Sequence, residues 1–110
     1  MNRESIGELE ELVLLTVGSL ADQAYAVLIL DEIKEKTGRK IDVTAIHSVL
    51  RRLDAKGFVN SEMRGATKER GGRRKRYFTL SPAGRAILDE TMSVRWELYQ
   101  KLPKLTFSGI

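Results

Sequence analysis

Residues 41–85, IDVTAIHSVLRRLDAKGFVNSEMRGATKERGGRRKRYFTLSPAGR, hold the pattern on which the fold turns. Asp42 is a good N-cap, and Ile46, Val49, Leu50 and Leu53 recur at helical spacing, so the stretch predicts a helix over 43–56 that stops at Gly57. Phe58 to Arg64 and Lys75 to Leu80 are rich in β-formers. Between them lies a loop containing Gly65, Gly71 and Gly72. An amphipathic helix followed by a long-looped basic hairpin is an order suited to presenting a helix and a wing to a DNA duplex.

The sequence before this stretch predicts two more helices. Ser5 with Glu8 forms a capping-box pattern, and Ile6, Leu9, Leu12, Val13, Thr16, Val17 and Leu20 follow at helical spacing, which sets a first helix over 5–20. Leu14 and Leu15 fall off this stripe, so the helix is expected to pack on two sides. A second helix is expected over 24–36, with Val27, Leu28, Leu30 and Ile33 inward, Lys34 and Lys36 at its negative end and Gly38 as the stop. Helix, turn, helix is the resulting order up to Gly57.

After the hairpin, Ser81 and Pro82 open a last helix as N-cap and first helical residue, reaching about Leu102. Ile87, Leu88, Met92, Val94, Trp96, Leu98, Tyr99 and Leu102 then spread over an arc of roughly 200°, wider than the ~100° one core needs. A second copy of the chain is expected to cover the excess, through Leu14, Leu15, Leu88, Met92, Trp96, Tyr99 and Leu102. The expected architecture is mainly α with a small β-hairpin: a winged helix-turn-helix domain over 1–80, a dimerisation helix over 81–102 and a tail over 103–110.

Composition narrows the function. The formal charge of +4 is unevenly spread. Residues 1–35 carry Glu4, Glu8, Glu10, Glu11, Asp22, Asp31, Glu32 and Glu35, whereas Arg64, Lys68, Arg70, Arg73, Arg74, Lys75 and Arg76 face only Glu69 in the hairpin loop. A basic run is ordinarily a solvated loop, but one this one-sided between two strands favours a polyanion contact. With no cysteine there is no disulfide framework, thiol nucleophile or thiolate metal site, and a reducing cytoplasm fits. No apolar run approaches the ~20 residues that span a bilayer.

On the helix over 43–56, the face away from the apolar stripe displays Thr44, Ala45, His47, Ser48, Arg51 and Arg52. Short polar groups near the start can approach base edges, and the Arg side chains further along can reach guanine or phosphate. A plain solvated face is the competing reading. His47 is the single histidine, open to a base or phosphate contact or to a structural role; the partners for zinc or for catalysis are missing, so neither metal, cofactor nor enzymatic chemistry is expected. Arg73 and Arg74 lie nearest the loop tip and are the candidates for the minor groove or phosphates. Of Lys75 and Arg76, which alternate along the strand, one is expected to touch DNA. Trp96 is expected in a dimer core, with an aromatic effector pocket as the alternative.

GELEELVLLTV, AIHSVLRRLDAKGFV and GGRRKRYFTLSPAGRAIL together resemble the PadR family of winged-helix transcriptional regulators. The resemblance implies a homodimeric, usually repressing, protein on a partly palindromic operator, with the last helix and the first supplying the dimer contact. The chain departs at His47, where members commonly have Tyr, at Ala26-Val27 in place of Gly-Tyr, and at Arg74 in place of Pro, so its recognition contacts are its own. It matches the shorter branch of the family, and a small-molecule effector is left unassigned. A winged-helix adaptor that binds an acidic partner without operator selectivity is the rival from another class.

Overall fold

The computed structural model describes residues 6–65 and 74–104. Four helices, α1 (Glu8–Ser19), α2 (Ala26–Thr37), α3 (Val43–Ala55) and α4 (Pro82–Gln100), surround a small sheet of β1 (Ala24–Tyr25), β2 (Val59–Arg64) and β3 (Lys75–Leu80). The core is one cluster: Val13, Leu14 and Val17 of α1, Ile29 and Ile33 of α2, Ile46, Val49, Leu50 and Leu53 of α3, with Phe58, Phe78 and Leu88 closing it.

The helix starts and stops follow local chemistry. α1 begins at Glu8, three residues later than the sequence reading, because Glu10 and not Glu8 turns back to cap it: its Oε1 accepts the Gly7 N–H at 2.8 Å. Ser5 lies outside the described residues. Ala21, with φ of 57°, ends α1 in the left-handed region and leads into a 3₁₀ turn over Ala21–Gln23. Asp42 caps α3 as expected, its Oδ1 accepting from the Ala45 N–H at 3.0 Å. Gly38 and Gly57, with φ of 69° and 80°, take left-handed positions after α2 and α3 where a Cβ would be strained.

The hairpin is the larger part of a three-stranded antiparallel sheet of order β1-β3-β2. Ala24 pairs with Phe78 and Tyr25 with Tyr77, so the two residues read as the start of α2 are a strand instead. A two-residue strand shows no period of its own, and the edge offered by β3 overrides the helix propensity of Ala24. α2 therefore starts at Ala26, and Val27, expected inward, is half exposed.

α4 leaves the core quickly. Ser81 anchors it twice, its Oγ donating to the Gly57 carbonyl at 2.6 Å and accepting from the Gly84 N–H at 3.0 Å. Gly84 packs on the Phe58 carbonyl so closely that a Cβ would stand 2.0 Å from its oxygen. Beyond Leu88 the helix has no buried residue. Arg95 ties it back to α1, donating to both Glu11 oxygens at 2.9 and 3.1 Å.

Candidate nucleic-acid interface

α3 is held by burial on one side only, and this fixes what its other side presents. At 100° per residue the buried Ile46, Val49, Leu50 and Leu53 stand opposite Thr44, Ser48, Arg51 and Ala55. Thr44 and Arg51 are exposed, and Ser48 is half buried. The two shoulders of this face differ. His47 is exposed on the side toward β3, while Ala45, half buried, and Arg52 lie on the side toward α1.

Toward β3 a groove of about 450 Å³ runs between α3, the start of α2 and the hairpin. Leu50, Phe78 and Ala26 form its floor, and His47, Arg51, Arg74, Lys75 and Arg76 reach its rim, with Asp54 the acidic side chain among them. The fold thus gathers the cations of α3 and of the strand after the loop, more than 20 residues apart in sequence, into one channel. Its cationic rim suits an anionic ligand such as a phosphodiester backbone.

The sheet sorts the hairpin cations by face. Phe78 is buried against the core, so Arg76, two residues earlier, shares that side, where it donates to Ser61 Oγ at 2.9 Å. Lys75 takes the outer face, its ammonium 4.4 Å from the centroid of the Tyr25 ring. Arg64 shares that outer face: it lies 4.1 Å over the Tyr77 ring, donates to the Asp22 carbonyl at 2.9 Å and pairs with Glu62 at 2.6 Å. Lys75 thus has a structural partner in Tyr25, and both Lys75 and Arg76 line the groove. Lys68, Arg70 and Arg73 lie outside the described residues.

Arg52, half exposed, is tied to α1. Its Nε donates to Glu10 Oε2 at 3.0 Å, and Lys56 Nζ donates to Glu10 Oε1 at the same distance. The Glu10 side chain is 7% exposed. Burial pushes its carboxyl up, but the Gly7 N–H, Lys56 and Arg52 outweigh burial and hold it below the usual carboxylate range. The neighbouring turn continues the theme at the surface: Arg39, between α2 and α3, makes two bonds to Glu8 at 2.8 and 2.9 Å, which lower the Glu8 carboxyl and raise the Arg39 guanidinium.

The residues expected at a dimer contact separate into two groups. Leu14 and Leu88 are withdrawn into the core of the chain itself, because α1 and α4 meet there, and they leave no surface for a partner. Leu15, Trp96, Tyr99 and Leu102 are exposed, joined by Val94 and Leu98, and Met92 is half buried. Trp96 stacks on Tyr99 with centroids 5.9 Å apart. Among the described residues no group of three or more His, Asp or Glu side chains is placed to hold a metal ion, and no helix is long and apolar enough to cross a membrane.

A helix-turn-helix whose second helix is followed by a sheet with a basic loop is a winged-helix domain. The chain belongs to the transcriptional regulator PadR-like family, whose model matches residues 14–90. Members of this family are transcription regulators and not enzymes. Solved structures share the fold. A PadR-like transcription factor from Bacteroides fragilis superposes with a TM-score of 0.70 at 23% identity, covering 84% of each chain. A PadR family transcription regulator from hypervirulent Clostridium difficile R20291 gives 0.69 at 21% identity, covering 86% of this chain and 93% of its own. A Streptococcus transcriptional regulator gives 0.69 at 22%, covering 84% and 86%. No curated protein sequence matches the chain.

Proposed function

We propose that this protein is a homodimeric repressor, acting in the cytoplasm, that reads a partly palindromic operator with α3 in the major groove and holds flanking phosphates or the minor groove with its basic wing. The observation that carries the reading is the channel in which His47 and Arg51 of α3 face Arg74 and Arg76 of the hairpin. Thr44, His47, Ser48 and Arg51 address base edges; Arg73 and Arg74 address phosphates or the minor groove, with Lys75 at the base of the wing. The 1–80 segment is the reading domain, and α4 joins two copies so that their α3 helices enter major grooves about 34–36 Å apart.

Fluorescence anisotropy with the DNA upstream of the protein's own coding region, and with a scrambled duplex of equal length, tests this. The native duplex is expected to bind roughly a thousandfold tighter. Arg51→Ala should cost about 1–3 kcal/mol on the native duplex and less on the scrambled one. Arg74→Ala should weaken both alike and make the salt dependence shallower by roughly one phosphate's worth. Equal, salt-sensitive binding to both duplexes would replace the operator reading with a purely electrostatic module.

A further inference from the structure

The C-terminal half of α3 and its C-cap carry three cations within six residues, Arg51, Arg52 and Lys56, and of these only Arg51 lies on the groove toward the wing. Arg52 borders the reading face on the other side, sharing a shallow concavity with Ser48, Arg51 and Ala55. A cation there is within reach of the same duplex that Arg51 addresses. Yet its charge is met from behind by a carboxylate of another helix, 42 positions away in sequence.

We infer that Glu10 is a positioning residue that holds Arg52 against α1 and offsets part of its charge, and so sets a ceiling on the sequence-independent attraction of α3 for DNA.

Three observations carry this. First, the carboxylate is saturated: Oε1 accepts from Gly7 N–H at 2.8 Å and Lys56 Nζ at 3.0 Å, and Oε2 accepts from Arg52 Nε at 3.0 Å. Three partners, one of them the backbone N–H at the start of its own helix, hold its position. Second, the pair is asymmetric in solvent, with Glu10 7% and Arg52 54% exposed. The anion is shielded by protein while the cation faces the solvent, where a phosphate would compete for it. Third, the carboxyl sits below its ordinary value, so it stays charged wherever DNA binding is measured near neutral pH.

Contacts to phosphate add affinity for any duplex and none for sequence. Arg52 released from Glu10 would add such a contact. Each phosphate contact steepens the slope of log K against log salt by about 0.9, which at 0.1 M salt corresponds to roughly an eightfold gain in affinity. Held by Glu10, Arg52 contributes little of this.

The inference rests on the DNA-binding reading above, and the test separates the two. Binding of the scrambled duplex is followed by anisotropy from 0.05 to 0.3 M salt for wild type, Glu10→Gln, Arg52→Gln and the double variant, with circular dichroism as the check on fold. Glutamine keeps the shape and the acceptor for Gly7 N–H. Glu10→Gln is expected to steepen the slope by about 0.9 or more and to tighten scrambled-duplex binding roughly eightfold at 0.1 M salt. Arg52→Gln alone should leave the wild-type slope unchanged, and in the Glu10→Gln background it should remove about 0.9 of the gain.

An unchanged or shallower slope in folded Glu10→Gln would overturn the inference while leaving the DNA reading intact. Should Glu10→Gln not fold, Arg52→Gln alone decides: a slope shallower by about 0.9 means that Arg52 already holds a phosphate in the wild type, and the inference is wrong; an unchanged slope supports it. Absence of wild-type binding to every duplex would overturn both readings.

Discussion

Glu10 shows how much one side chain can do once three partners converge on it. Its carboxyl is held below the ordinary value, so its bonds to Arg52, Lys56 and the Gly7 N–H stabilise the fold fully above about pH 4.3, the unfolded value, and are lost as pH falls through the lower folded value. Glu8 works in the same direction through Arg39. Melting temperature is therefore expected to be flat from pH 7 to about 5 and to drop below about 4.3, with Glu10→Gln flattening part of that drop, a difference of about 1 kcal/mol given the solvent around Arg52. Thermal melts at half-unit pH steps would check it; an equal acid drop in both proteins would place the sensitivity elsewhere. At this scale the sequence was half legible. Thr44, His47, Ser48 and Arg51 could be placed on the open face of α3 because burial of Ile46, Val49, Leu50 and Leu53 leaves no other orientation. Arg52 and Arg64 could not, since their carboxylate and carbonyl partners, Glu10 and Asp22, are each 42 positions away and no local period points to them.

The elements were more legible than the residues, because caps and apolar periods are local. The stop at Gly57, the cap at Asp42 and the Ser81-Pro82 opening of α4 all stand where the chain's chemistry places them. The two-residue β1 was invisible for the opposite reason: only the free edge of β3 makes it a strand. The joint between hairpin and α4 is the least tolerant element. Gly84→Ala would drive a methyl group to 2.0 Å from the Phe58 carbonyl oxygen, a backbone atom that cannot rotate away. Denaturant unfolding is expected to show a loss of about 3 kcal/mol or more, large among point substitutions, because α4 must lift off the sheet to make room. A loss below about 1 kcal/mol would mean that the α4 joint is pliant.

At the level of the whole molecule, the segregated charge of the sequence becomes a division of labour: three carboxylates in the first turn of α1, Glu8, Glu10 and Glu11, pair with Arg39, Arg52, Lys56 and Arg95, whereas the cations of the basic hairpin are the ones proposed to meet an external anion. The radius of gyration, 17.2 Å, exceeds the roughly 13 Å of a compact chain this long, and α4 carries its exposed Val94, Trp96, Leu98, Tyr99 and Leu102 away from the core. A second copy against that face is the expected cover. Light scattering should give a dimer mass at micromolar concentration, and Leu98→Glu should weaken the dimer at least tenfold; a monomer at all concentrations would refute the assembly. The single tryptophan of the chain stands on this face and none stands on α3. The molecule thus carries an intrinsic optical label for one of the two encounters proposed for it: pairing of chains would shift indole emission to shorter wavelength, duplex binding by a preformed pair would leave the colour unchanged, and assembly and recognition would become separately readable in one unmodified sample.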